Sequence, residues 1–512
     1  MSSDRATNDK NKVIKKNYVY NLIYQLLLII VPLVVTPYVS RKLGAESLGK
    51  YSFSYSLITY FTIFAALGFG TYAQREIAKN QGDRYKQSKS FWEIIICRSL
   101  SVGIALCVNL VLCLLNLYGD YSIYMLIMSI NILAISFDIA FFFQGNEQFG
   151  KIVIFNSVIR ILGTLSIFIF VKSPDDLWKY TLINSLIILC GYLVLWTNVN
   201  KLLAKVNIKE LKPLKHLQGT LLLFLPTIAV SIYTVLDRTL IGVLIKDTYK
   251  VVENGIVVVK KYSDLENGYY EQSEKIVKMA LTVITCIGTV MIPRNTKEYA
   301  DGNIDKVKEN VYTSATFVWL LGIPITLGLM LISSNFVPWF YGDGYDKCIT
   351  LISIFSPLTL IIGFSNIFGL QYMIPTGKDA KYTIALLCGA FTNLILNIIF
   401  IRLWWSIGAA IASIVAEFAV TLVMAFMLRK EINLLKILKL CWRYLIAGIV
   451  MFLVIFIIKE FFSNSFLYTV LLIMIGICIY FITLIIEHDP VTLKYLKLYL
   501  KKINNKLKRG EN

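Results

Sequence analysis

Fourteen long apolar runs leave this chain few possible folds. They lie at 18–39, 51–73, 91–117, 121–143, 152–171, 177–199, 219–244, 276–293, 312–334, 348–372, 382–402, 406–428, 440–459 and 466–486. Each approaches or exceeds the roughly 20 residues a helix needs to cross a bilayer core. The sixth opens on polar residues and the eighth is short. Of 512 residues, 57% are apolar and 16% charged, against about 45–50% and about 25% in soluble domains. That composition cannot cover a soluble globule of this length with polar surface. The expected class is all-α: a polytopic membrane protein with about 14 transmembrane helices.

Charge orients the spans. The chain carries 51 Lys+Arg against 32 Asp+Glu, a net charge of +19. The excess lies in short loops and tails rather than on one domain face, which excludes nucleic acid as a partner. With the N terminus in the cytoplasm, the cytoplasmic segments hold 33 Lys+Arg and the outer segments 14. That bias predicts both termini inside. Met1–Lys16 is polar and basic with no cleavage site after it, so the first span is expected to stay in place. Nine cysteines are scattered without a CxxC pair and read as free.

Three segments outside the spans have a pattern of their own. Asn200–Leu217 carries five lysines, and the tail after His488 repeats Leu493, Leu496, Leu500, Ile503 and Leu507 with lysines between. Both read as amphipathic helices on an anionic inner leaflet, so membrane lipids are expected partners. In the outer insertion, Asn254-Gly255 stands between β-branched runs, a hairpin signal.

The chain is doubled. Gly49-x-Tyr51 is followed by Arg75 26 residues after the glycine, and Gly268-x-Tyr270 by Arg294 at the same distance. Gln144 precedes Gly150-Lys151 by six residues, as Gln371 precedes Gly377-Lys378. Spans 1–6 therefore match spans 7–12 in the same orientation, a parallel repeat. The expected organisation is an N-terminal bundle (1–199), a basic linker (200–217), and a second six-helix bundle (218–430) with an outer insertion at 246–270. Two further helices (431–487) and a basic tail (488–512) follow.

Charges deep in spans cost about 2.5–3.5 kcal/mol or more, so they mark function or pair with one another. Arg98 and Arg160 lie about 10–12 Å from the inner ends of their helices, and Asp138 reaches about 8 Å. They form either a structural salt bridge or a cationic site kept in register by its acid. Asn21 and Gln25 on the first span, and Thr234 and Arg238 on the seventh, make polar stripes on proline-containing helices. These are expected to line a cavity, with Arg238 inward and adjacent Asp237 turned away. Glu417, at the middle of the twelfth span, is a carboxylate that could carry a coupling proton. Gly68-x-Gly70-x-x-Ala73 ends a span and follows no strand, so a dinucleotide reading fails. No P-loop occurs, and His216 and His488 stand far apart, so neither cofactor nor metal is expected.

Together these residues resemble a known family. The markers are Ser40-Arg41-Lys42-Leu43-Gly44, Leu48-Gly49-Lys50-Tyr51, Arg75-Glu76-Ile77-Ala78, and Asp138 with Gln144-Gly145-x-Glu147. Leu236-Asp237-Arg238, Gly268-Tyr269-Tyr270, Pro293-Arg294, Pro375-x-Gly377-Lys378 and Asn393-x3-Asn397 complete the set. Over roughly 17 to 430 the chain is similar to the bacterial polysaccharide transporters that flip lipid-linked oligosaccharides, relatives of lipid II flippases and multidrug extruders. The 246–266 insertion departs from that pattern. The resemblance implies a non-enzymatic flippase of the bacterial cytoplasmic membrane, moving an undecaprenyl-diphosphate-linked oligosaccharide by alternating access for capsular or exopolysaccharide assembly. Polysaccharide polymerase and glycosyltransferases are the implied protein partners. The implied substrate contacts are Arg98, Arg160, Arg238, Arg41, Asn21, Gln25, Thr234 and Asp138, with Glu417 and Asp237 for a coupling ion. The alternatives are a cation-coupled multidrug-type exporter and a membrane glycosyltransferase or polymerase.

Overall fold

The computed structural model describes residues 2–494 except 147, 200–201 and 254–255, together with 497. Within its helices and strands, side chains are left aside at 2–26, 28–29, 149, 151, 198, 222–223, 225–227, 229–233 and 252–256. The expected tail repeat from Leu496 onward lies outside the described residues.

The chain is almost wholly helical, as the long apolar runs require. A hydrocarbon core offers backbone groups no partner, so each crossing must satisfy its own. In order the helices are α1 (Ser2–Ala66), α2 (Phe69–Lys79), α3 (Arg84–Leu114), α4 (Ser122–Phe137), α5 (Ala140–Gly145), α6 (Phe149–Phe170), α7 (Leu177–Val199) and α8 (Leu217–Leu244). Two strands follow, β1 (Thr248–Glu253) and β2 (Ile256–Lys261). Then come α9 (Tyr262–Ala300), α10 (Ile304–Tyr341), α11 (Asp346–Phe355), α12 (Leu358–Asn366), α13 (Asp379–Leu428), α14 (Leu434–Lys439), α15 (Cys441–Ile458) and α16 (Phe466–Ile486).

Among the described residues, 11 segments are long and apolar enough to cross a membrane. Two of these, 30–79 and 379–428, are 50 residues long. At about 1.5 Å per residue each is far longer than a core of about 30 Å. α1 and α13 are each interrupted inside by one non-helical residue, Gly44 (φ 76, ψ 167) and Trp405 (φ 54, ψ −127), and a further gap at 67–68 separates α1 from α2. Each therefore accounts for two of the expected spans. The expected seventh span coincides with α8, much of whose middle carries no described side chains.

Packing divides the chain into two units, 1–268 and 269–512, with the boundary inside α9. In the first unit an aromatic core gathers Phe69, Phe91, Phe141, Phe142 and Phe143, all buried. In the second, Val311, Val318, Phe368, Tyr372 and Met424 make the corresponding core. In each unit the helical ladder is interrupted. Asp138 is extended (φ −69, ψ 104) between α4 and α5, and Ile367–Met373 is a π-helical stretch after α12.

The Asn-Gly signal is borne out by its flanks: β1 and β2 pair antiparallel, with Thr248 opposite Lys261 and Glu253 opposite Ile256. The 200–217 segment differs from expectation. Its described part holds two short 3-10 turns, Ile208–Glu210 and Pro213–His216, instead of one amphipathic helix. Pro213 cannot continue a helix. Side chains of α3 take over backbone partners: Arg84 donates to the carbonyls of Leu202 (2.9 Å) and Leu203 (3.1 Å). Ser88 Oγ accepts the Ala204 N–H at 2.8 Å.

Candidate functional site

The break at Asp138 organises the polar interior of the first unit. Ending α4 at Phe137 releases carbonyls that a continuous helix would have used. Arg98, on α3 and 2% exposed, supplies the donor. Its Nη2 donates to the carbonyl of Ser136 at 3.3 Å and to that of Asp138. The guanidinium also lies over the Phe141 ring, 5.4 Å from its centroid, and its buried Nε has no partner among the described residues. The Asp138 carboxylate turns elsewhere: Oδ1 accepts the Ala140 N–H at 2.9 Å and caps α5. Arg98 and Asp138 are thus brought together through the main chain, not as an ion pair. Arg160, midway along α6 and partly exposed, makes no side-chain hydrogen bond or ion pair among the described residues. The three-charge salt bridge is not formed.

Beside the break lies a polar cavity of about 410 Å³, wholly within the first unit. One wall is a face of α1 bearing Tyr55, Thr59 and Thr62. Asn131 on α4, Asp138 just past its end and Tyr192 on α7 line the cavity as well. No lysine or arginine lines it. Sequence reasoning missed this wall, although Tyr55, Thr59 and Thr62 recur at helical spacing. It also missed Gly68 and Gly70, which line the same cavity at the gap between α1 and α2.

The other expected residues are more dispersed. Arg41 and Thr234 are exposed, Arg238 is partly buried and Asp237 buried. Asn21 and Gln25 lie outside the described side chains. In the second unit Glu417 is partly buried on α13, a helix whose Ala409, Ala410 and Ser413 are buried. That unit also holds a groove of about 580 Å³, lined by Leu320, Ile325, Met451, Ile455, Leu472 and Phe481 among others, and almost entirely apolar. No group of three or more His, Cys, Asp or Glu able to hold a metal occurs among the described residues.

A second buried cluster was not foreseen, because its members are far apart in sequence. His216 Nε2 meets Glu93 Oε2 at 3.0 Å, and Nδ1 meets the Tyr72 hydroxyl at 2.8 Å. Lys215 Nζ reaches the same Glu93 oxygen at 2.5 Å, and the Lys212 N–H donates to Oε1 at 2.8 Å. An ionised Glu93 only accepts, so Nε2–H donates to it; in the neutral ring Nδ1 then accepts from Tyr72. Burial pulls the His216 imidazole below its ordinary pKa, with the Glu93 carboxylate opposing. The cluster ties the 202–216 segment to α2 and α3.

Comparison with known proteins places this arrangement among relatives. The profile of a family described as "Polysaccharide biosynthesis protein" matches residues 14–299. The chain is 24% identical over 433 residues to a protein of Escherichia coli (strain K12) named "Putative O-antigen transporter", a match covering 83% of this chain and 99% of that one. It is 23% identical over 163 residues to the lipid II flippase MurJ of Bacillus subtilis (strain 168), covering 31% and 29%. Among solved structures, lipid II flippase MurJ in an inward closed conformation superposes with a TM-score of 0.72 at 17% identity, covering 93% of this chain and 99% of that one. An inward-facing multidrug resistance MATE family transporter of the MOP superfamily gives 0.58 at 13%, covering 81% and 95%. These likenesses establish the fold.

Proposed function

The chain belongs to the polysaccharide biosynthesis protein family, and from that premise we propose that it is a flippase for lipid-linked oligosaccharide. It carries a polyprenyl-diphosphate-linked repeat unit from the inner to the outer leaflet of the bacterial cytoplasmic membrane, for capsular or exopolysaccharide assembly. The observation that carries this reading is Arg160: a guanidinium within a membrane-crossing helix that no described protein group neutralises. Such a charge is costly unless an anion meets it, and a diphosphate supplies that anion through charge-assisted hydrogen bonds.

Arg160, Arg238 and Arg41 take the diphosphate in this proposal. Arg98 holds the Asp138 break, so that the polar wall keeps its shape. Asn21, Gln25 and Thr234 offer hydrogen bonds along the glycan's path. The apolar groove of the second unit suits the polyprenyl tail, which then never leaves a hydrocarbon-like environment. Both termini are cytoplasmic, and the two six-span repeats alternate access to either side. An inside-negative potential drives the anionic head outward by about 2.3 kcal/mol per charge per 100 mV. Asp237 and Glu417 are the carboxylates proposed to carry a coupling ion. Polymerase and glycosyltransferases act on either side of the flipped unit.

The test is reconstitution into vesicles with lipid-linked oligosaccharides, scored by accessibility of the head to an enzyme added outside. Wild type should translocate. Arg160→Ala should slow translocation at least tenfold while inserting normally. Wild-type rates in Arg160→Ala, or no translocation by wild type with any lipid-linked sugar, would refute the reading.

A further inference from the structure

Where α15 begins, the chain carries two parallel rows of side chains. α14 and α15 meet at Leu440, whose dihedrals stay helical (φ −72, ψ −21), so residues three and four apart share a face across the junction. One row is Leu435, Leu438 and Trp442, which are 69%, 60% and 54% exposed. The adjacent row is Lys436, Lys439 and Arg443, the two lysines exposed and the arginine partly so. A third face fixes both rows in place. Ile437 is buried in the core of the second unit, and its carbonyl accepts from Trp319 Nε1 at 3.0 Å. The Tyr312 hydroxyl accepts the Asn433 N–H, also at 3.0 Å.

The basic row is not spent on the protein. Lys436 Nζ lies over the Tyr312 ring, 4.2 Å from its centroid, and the Arg443 guanidinium over Trp442 at 5.5 Å. None of the three makes a side-chain hydrogen bond or ion pair among the described residues, and the Arg443 Nε is buried without a partner. Glu431, the acid that precedes the row, is held by Tyr372 and Lys378. Glu487 acts on Arg443 electrostatically without forming an ion pair with it. At 1.5 Å per residue the row spans about 10 Å, more than one phosphate can meet. A leaflet of headgroups offers several phosphates side by side. The neighbouring row gives acyl chains an apolar track, continued along α15 by Ile446, Ile449 and Leu453, all exposed. A soluble anion would leave that track in water.

We propose that α14 and the start of α15 form a binding site for anionic phospholipid. Lys436, Lys439 and Arg443 meet the headgroup phosphates, and Leu435, Leu438 and Trp442 lie among the upper acyl chains, as in helices that rest in a membrane interface. In the proposed orientation this is the cytoplasmic leaflet, whose anionic lipids attract basic residues beside a membrane helix. Lipid bound there holds α14 to the second unit and stabilises the folded chain. The site makes no demand on what is transported, so it stands or falls apart from the flippase reading.

The test follows thermal unfolding of the full chain in an uncharged detergent, titrated with phosphatidylglycerol, phosphatidylethanolamine, glycerol 3-phosphate or polyglutamate. Phosphatidylglycerol should raise the melting temperature to a plateau, and the other three should not. Replacing Lys436, Lys439 and Arg443 together by Gln should raise the lipid concentration at half-shift roughly hundredfold, and Lys439→Gln alone about fivefold. Lys439 is exposed and unpaired among the described residues, so Lys439→Gln decides the matter if the triple variant melts early without lipid. Lys205→Gln with Lys209→Gln, on the other basic segment, should titrate as wild type does. The proposal is overturned if phosphatidylglycerol gives no shift, or if phosphatidylethanolamine gives the same one. It is overturned if glycerol 3-phosphate reproduces the shift, which would mark a site for free phosphate, or if polyglutamate does, which would mark a site for an acidic protein segment. It is overturned also if Lys439→Gln titrates as wild type, or if the shift is lost in the Lys205 and Lys209 variant instead.

Discussion

At the scale of single residues, Glu93 shows how burial multiplies a side chain's effect. It is fully buried, yet it accepts from His216, Lys215 and the Lys212 backbone. Glu93→Leu leaves those donors unmet and should cost about 3–5 kcal/mol, the usual penalty for breaking a buried charged network, read as early thermal unfolding. His216 titrates within the same network. Its folded pKa lies below the ordinary value near 6.5, so the unfolded chain takes up the proton first as pH falls. The stabilisation is fully present above about 6.5 and is lost progressively below it. Melting temperature should therefore fall from pH 7.5 to 5.5 in wild type, and fall less in His216→Gln. Equal slopes in the two proteins would exclude His216 as the titrating group. The groups facing it are Glu93, Lys215, Glu76 and Tyr72.

At the scale of elements, the repeat-matched glycines do more than mark a sequence pattern. A Cβ on Gly49 would stand 1.6 Å from the Asp264 carbonyl oxygen, and one on Gly268 would stand 2.0 Å from that of Ala45. Each glycine thus meets the residue four before its counterpart, and the two helices cross backbone to backbone, as small residues permit in membrane bundles. Gly49→Ala or Gly268→Ala must push the helices apart. Either should destabilise by at least the roughly 1–3 kcal/mol of ordinary overpacking, while Gly103→Ala, which meets nothing within 4 Å, should melt near wild type. The insertion hairpin is fastened beside this crossing by Lys260 to Glu46 (2.8 Å) and Lys261 to Asp120 (2.9 Å). The hairpin was legible from Asn-Gly between β-branched runs; its fastening was not, since Glu46 and Asp120 lie more than 100 residues away.

At the scale of the whole molecule, the proposed flipping of an anionic head would make the membrane potential a driving force. Collapsing an inside-negative potential in vesicles should slow outward flipping severalfold if one net charge crosses most of the field. A rate indifferent to potential would mean that the head crosses neutralised.

The sequence by itself determined the class: apolar runs of spanning length leave a chain only helices that cross a bilayer, and those runs and the family markers are written locally. Tertiary structure decided which polar groups meet. Asp138 and Arg98 were visible as buried charges, but only the break after Phe137 turns Arg98 to main-chain carbonyls and Asp138 to the cap of α5. Threonines at helical spacing resemble any helix-packing stripe until they are seen to line one cavity with Asn131. The reason is physical: hydrophobic burial is fixed by each segment's own composition, whereas a hydrogen bond exists only once two distant segments are held within about 3 Å.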